Sequence, residues 1–219
     1  MLVSYCSYDI RRLHRLFSGR GSPFHSLGFM DEERTTRELI EKLGSDVERC
    51  HRELLECIDD GEVDSDGSVT ADYEYHARQL IRTILAYVEG VTFSVKIWAV
   101  ARCLDSGIEV SDHERYLAVE VDSELNDKGE VVERSARLRL ASNVRFAFRL
   151  LERASGGEFQ FDPSSDWWAA LRSTIGVRDR LTHPRFPRDV DVSGAEVVAA
   201  LKAKVGFERS LLVEGKHEA

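Results

Sequence analysis

The stretch SVTADYEYHARQLIRTILAYVEGVTFSVKIWAVARCLDSG, residues 68–107, decides how the chain is read. Leu80, Ile84, Tyr87, Val91, Val95, Trp98 and Cys103 recur at spacings close to multiples of 3.6 and run down one side of a long predicted helix. Ser68 or Thr70 can cap its start, because a hydroxyl accepts from the unpaired N–H groups of a first turn. The segment is more apolar than any other, which predicts the central helix of a bundle, and Gly90 within it marks a close helix crossing.

The same period appears on both sides. Upstream, residues 31–61 place Leu39, Leu43, Val47, Cys50, Leu54, Cys57 and Ile58 on an amphipathic helix, stopped by Gly61 and the polar DGEVDSDGS. Residues 1–30 are broken by Gly19, Gly21, Pro23 and Gly28 and read as an N-terminal extension, with one short helix around Tyr8–Phe17. Downstream, residues 106–135 lose the helical period. Their alternating apolar residues around Asn126-Asp127-Lys128-Gly129 fit a small hairpin or an irregular insertion.

Helix returns over 135–157, with Leu140, Val144, Ala147, Phe148 and Leu151 inward and Gly156-Gly157 as the stop. A further helix follows Ser164 or Ser165, burying Trp168, Leu171, Ile175 and Leu181, and a last one starts at Ser193. The expected fold is all-α: an antiparallel helical bundle with an irregular or hairpin insertion around 106–135. It forms one domain over 31–219, its core at about 70–212.

Composition narrows the function. The chain has 219 residues, 42% hydrophobic and 32% charged, with a formal net charge of −9, which argues against broad nucleic-acid coating but leaves room for a local basic patch. Four scattered cysteines form no C-x-x-C, and Cys50 and Cys57, seven apart, suit packing on one helix face in a reducing compartment. No run of 18 apolar residues and no basic-then-apolar leader occurs, so a cytoplasmic protein without a membrane partner is expected. No histidine spacing suits a metal and no glycine-rich phosphate loop is present, so no metal or cofactor is expected.

One motif carries chemistry. In GVRDRLTHPRF, residues 176–186, Pro184 bars His183 from the α region and ends the helix near Thr182. On a continuing helix, residues five apart would point about 140° apart. The break frees the imidazole to swing toward Arg178. Two cationic groups coexist comfortably only with an anion between them, and a phosphate suits both the planar guanidinium and the proton-carrying imidazole. Between 172 and 188, five arginines (Arg172, Arg178, Arg180, Arg185, Arg188) face one acid, Asp179, a local net of +4. A helix-capping role for His183 and a solvated face of arginines remain the plainer reading of the same residues.

Arg178-Asp179-Arg180-Leu181-Thr182-His183, within IGVRDRLTHP, resembles the Arg-x4-His signature of the HEPN superfamily, with Asp179 where Asn is common. At pattern level the similarity covers about residues 70–212. The resemblance implies a small all-α domain and a metal-independent endoribonuclease. Its homodimer joins two motifs in one composite cleft, often in toxin–antitoxin or defence systems with an antitoxin protein as partner. It implies catalytic roles for Arg178 and His183, with Asp179 orienting a motif side chain or meeting the dimer partner. RNA phosphates would meet Arg172, Arg180, Arg185 and Thr182, with a helix-end back-bond as an equal reading of the Thr182 hydroxyl. Glu89, an acid in the apolar central helix, needs a partner, which Arg178 or His183 can supply, unless it is a helix-surface carboxylate. One toxin branch carries a modified tyrosine two residues after the histidine; here Arg185 stands there, so that form of control is not implied. The competing expectation is a catalytically inactive HEPN-like module that binds RNA, a nucleotide or a protein partner, or a purely structural dimerisation domain.

Overall fold

In the computed structural model, residues 30–59 and 71–212 are described, and they are mostly helical, 72% helix with six helices and one two-stranded sheet. The helices are α1 (Met30–Asp59), α2 (Ala71–Asp105), α3 (Asp112–Ala118), α4 (Leu140–Ala154), α5 (Asp166–Thr182) and α6 (Gly194–Ser210). Strands β1 (Val121–Leu125) and β2 (Val131–Ser135) lie between α3 and α4, and a single 3-10 turn, Pro187–Val190, lies between α5 and α6. The chain forms two compact units. The described part of the first is residues 37–90 and 162–212, and that of the second is residues 30–36 and 91–161, so α2 contributes its first half to one and its second half to the other.

In the first unit, cross-helix contacts fix the directions. Cys50 Sγ lies 3.5 Å from Thr83 Oγ1 and Glu53 is 3.5 Å from His76, so α1 and α2 run oppositely. Arg82 reaches the Leu181 carbonyl while Glu89 meets Arg178, so α5 opposes α2. Lys202 pairs with Asp166 and Glu196 with Arg180, so α6 opposes α5. This is an up-down antiparallel bundle. Two glycines permit its closest approaches. A Cβ on Gly90 would come within 2.5 Å of Leu43 Cδ1, the crossing that the sequence anticipates, and one on Gly206 would collide with the Trp167 side chain.

The core of this unit holds a charged knot. Glu208, buried on α6, accepts from the Tyr87 hydroxyl at 2.8 Å and from Lys204 Nζ at 2.9 and 3.0 Å. The Lys204 ammonium also sits 5.4 Å from the Tyr87 ring centroid. Burying one charge alone is costly, but here the carboxylate, ammonium and phenol satisfy one another. Burial and the Glu208 charge push the Tyr87 hydroxyl well above its ordinary value. His51, also buried, is pushed below its ordinary value by desolvation first and by Lys204 second.

In the second unit, Ala99, Cys103, Val110, Ala118, Leu150 and Ala154 form the core, covered by Trp98, Val100, Ile108 and Phe146. Lys96 is fully buried and donates to Glu120 Oε1 at 2.7 Å and to the Leu117 carbonyl at 3.3 Å. Asn143 Nδ2 donates to the same Glu120 oxygen at 2.8 Å. Glu120 has φ +55, a left-handed conformation that costs a non-glycine residue about 1–2 kcal/mol, and these two bonds hold it there. The hairpin resolves the alternatives for 106–135: Val121 to Leu125 pair antiparallel with Ser135 to Val131. Its turn is built as the residues suggest. Asn126 Oδ1 accepts from the Lys128 and Glu130 amides, and Gly129 takes φ +76.

Several details differ from expectation. Residues 112–118 form a short helix opened by a Ser111/Glu114 capping box, a signal masked by the surrounding charges. The helix after the hairpin begins at Leu140 rather than 135, because β2 pairing claims residues up to Ser135. On α1 the buried stripe is Ile40, Val47, His51 and Leu54, while Leu39 is 40% exposed. On α5, Thr174 and Val177 are buried and Ile175 only half-buried. Leu140, Val144, Ala147, Phe148 and Leu151 are all buried as read. The helix expected around Tyr8–Phe17 and the caps at Ser68 or Thr70 lie outside the described residues. By length and composition α2 passes as a membrane span, yet 61% of its most apolar window is buried within the protein, as in a core helix.

Two outcomes follow from these buried charges. Glu120→Ala should destabilise by about 3–5 kcal/mol, because it strands the buried Lys96 ammonium. Lys96→Met should cost distinctly less, since Glu120 is a third exposed and keeps water and Asn143. Urea midpoints of the two variants give the order. Because the folded state binds the His51 proton less readily than the unfolded chain, stability is present above the ordinary value of 6.5 and falls as pH drops below it. Melting temperatures between pH 7.5 and 5 should decline less steeply for His51→Gln than for wild type.

Candidate active site

Helix α5 ends where Pro184 requires. Thr182 is its last residue, and His183 is the C-cap with φ −127 and ψ 57, its amide still bonded to the Asp179 carbonyl at 3.1 Å. The imidazole is solvent-exposed, and among the described residues no hydrogen bond or ion pair involves it. One turn back, Arg178 is partly buried, its side chain 29% exposed. Its NH1 donates to Glu89 Oε1 at 3.1 Å, the partner anticipated for that acid. Its Nε lies 3.1 Å from Asp179 Oδ1, but off the N–H direction, so that contact is electrostatic and makes no hydrogen bond. Arg178 and His183 thus lie at one end of α5, both reachable by solvent, but no contact joins them.

The arginines between 172 and 188 divide into two kinds. Arg180 is committed to the fold. Its NH1 donates to the carbonyls of Arg188, Asp189 and Asp191 at 3.3, 2.9 and 2.7 Å, and its NH2 to Glu196 Oε1 at 2.8 Å. The phosphate role expected of it is therefore not supported by its geometry. Thr182 is exposed, but its hydroxyl donates to the Arg178 carbonyl at 2.7 Å, the helix-end back-bond that the sequence reading weighed against a phosphate contact. Arg172 and Arg185 are exposed. The Arg188 guanidinium sits 5.2 Å from the centroid of the Phe186 ring.

Residues that the sequence reading passed over hold this region in place. Arg82 donates to the Leu181 carbonyl at 3.2 Å and Arg78 to the Val190 carbonyl at 3.2 Å. The C-terminal carbonyls of a helix lack intrahelical partners, so Arg82 satisfies a group that would otherwise need water. Asp189 Oδ2 accepts from the Arg185 amide at 2.7 Å and the Phe186 amide at 2.9 Å, and these bonds hold its carboxyl below the usual carboxylate range, with Arg188 and Arg180 adding to the effect. One signal was available: Arg78, Arg82 and Glu89 recur at spacings of four and seven, on one face of α2.

Electrostatically, Arg178 faces two carboxylates, so the trio carries one net negative charge. Pairs this exposed contribute about 0–1 kcal/mol, so an incoming anion can displace them. Among the described residues, no group of three or more His, Cys, Asp or Glu side chains could hold a metal ion. No family model, curated protein or solved structure matches the chain.

If Arg180 is a structural fork, Arg180→Ala should lower stability by about 1–3 kcal/mol in urea titration, and Arg180→Lys should restore little, because an ammonium cannot span four acceptors. Arg185→Ala should stay within about 0.5 kcal/mol of wild type.

Proposed function

We propose that this chain is a metal-independent endoribonuclease of HEPN type, a homodimer with a composite cleft that acts in a toxin–antitoxin or defence setting in the cytoplasm. The observation that carries the reading is the end of α5: an exposed imidazole on a helix broken by proline, five residues after Arg178, whose side chain is 29% exposed. RNA carries its own nucleophile, so such a site needs no metal. His183 takes the proton from a ribose 2′-hydroxyl as its oxygen attacks the adjacent phosphorus. The bond from phosphorus to the 5′-oxygen breaks in line, and that oxygen takes a proton from solvent water, while His183 passes its proton to solvent to reset the site. Arg178 stabilises charge on the non-bridging oxygens, electrostatic help that can reach several kcal/mol. The products are a 2′,3′-cyclic phosphate and a 5′-hydroxyl. Arg172 and Arg185 attract the backbone, and Asp179 and Glu89 hold Arg178 until phosphate replaces them.

One observation favours the second reading, a HEPN-like module that binds RNA, a nucleotide or a protein without turnover: both nearest charges to Arg178 are acids. The two readings part in a single assay. Purified protein with EDTA should cleave single-stranded RNA and leave the DNA of the same sequence intact. Arg178→Ala and His183→Ala should each lose about 100-fold or more in rate. Equal cleavage by wild type and the double variant, or none by either, removes the nuclease reading, and RNA affinity without cleavage selects the binding module.

A further inference from the structure

We propose that Phe186 is a stacking platform for an unpaired base of single-stranded RNA, placed three residues beyond His183. The proposal rests on the reading that this end of α5 faces RNA, but it concerns binding and is separable from cleavage.

Three observations converge on that ring. Phe186 is 56% exposed. The turn is unusually well tied. The Phe186 and Arg185 amides donate to Asp189, the Asp189 amide donates back to the Phe186 carbonyl at 2.9 Å, and the carbonyls of residues 188–191 are taken by Arg180 and Arg78. The ring is therefore presented by a braced backbone. The Arg188 guanidinium rests against the ring, 5.2 Å from its centroid. The guanidinium takes one face of the ring, and with Phe186 56% exposed a flat base can approach the other.

An exposed aromatic ring next to cationic side chains is what single-stranded nucleic acid uses: bases stack on the ring while phosphates follow the charges. Arg185, exposed and one residue away, supplies the adjacent phosphate contact, and His183 lies three residues back along the same strand of chain. A base stacked on Phe186 would hold its neighbouring ribose and phosphate near the helix end that carries Arg178. Duplex RNA keeps its bases stacked internally and has none to offer, so the platform selects unpaired regions.

The test uses a fluorescent single-stranded 2′-O-methyl RNA oligomer, which cannot be cleaved by 2′-hydroxyl attack, and an abasic oligomer with the same backbone. Anisotropy titrations compare the full-length wild type with Phe186→Leu, Phe186→Trp and Arg185→Ala, after melting curves establish that each is folded. Phe186→Leu keeps apolar area but removes the π-face. It should weaken binding of the base-bearing oligomer about fivefold or more, leave binding of the abasic one unchanged, and leave the salt dependence unaltered. Phe186→Trp should bind as tightly as wild type or tighter. Arg185→Ala should weaken both oligomers and reduce the slope of log affinity against log salt by about 0.7. Binding by Phe186→Leu equal to wild type, an equal loss on both oligomers, or no oligomer binding by the wild type overturns the platform. If wild type cleaves no RNA yet discriminates the two oligomers through Phe186, the platform stands and the nuclease reading falls.

Discussion

The guanidinium of Arg180 gathers four acceptors, three consecutive-region carbonyls and one carboxylate, and the geometry of the candidate site depends on that gathering. A turn of this kind exposes carbonyls that neither helix can satisfy, and a planar fork is the side chain best shaped to take several at once. Glu196 joins the network to α6. One of its oxygens accepts from Arg180, and the other closes the capping box with Ser193. The end of α5, the turn and the start of α6 therefore form one hydrogen-bonded unit, braced further by Arg82 and Arg78 from α2. His183, Arg185 and Phe186 are short passengers on it. Their backbone has little freedom, so the fold itself sets where these side chains stand.

The helices were legible because apolar period is a strong signal over long segments, and Leu140, Val144, Phe148 and Leu151 fell on the buried face as read. The stop at His183 was legible because proline acts through local sterics alone. What could not be read was which of two adjacent faces a helix buries. On α1, Ile40 rather than Leu39 turns inward, and on α5, Thr174 and Val177 outrank Ile175, because tertiary packing chooses between neighbours that the period treats as equal. The roles of the arginines were equally hidden. Arg180 and Arg185 look alike in a sequence, and only the path of the 187–191 turn reveals that one is buried in carbonyls while the other faces water. Glu89 was the exception. An acid on an otherwise apolar helix asks for a partner, and of the two named, Arg178 and His183, the structure gives Arg178, although Glu89 is also 45% exposed as a surface carboxylate would be.

On the proposed ribonuclease reading, the charge arrangement at Arg178 bears on how a protein of net charge −9 would engage RNA. Glu89 and Asp179 cancel the charge of the one guanidinium nearest the expected chemistry, so long-range attraction must come from elsewhere, from Arg172, Arg185 and Arg188. That division has a kinetic logic. A cation already paired to exposed carboxylates gains little from a ground-state phosphate diester, because it exchanges one anion for another. It gains more as the equatorial oxygens accumulate charge on the way to the cyclic product, since the attraction grows while the cost of leaving Glu89 stays fixed. An interaction that strengthens only as charge develops raises the rate of the chemical step rather than the affinity for RNA. Affinity then has to be supplied by contacts indifferent to the reaction, and the surface around His183 provides the two kinds that qualify: exposed guanidinium groups for the backbone and the open ring of Phe186 for a base.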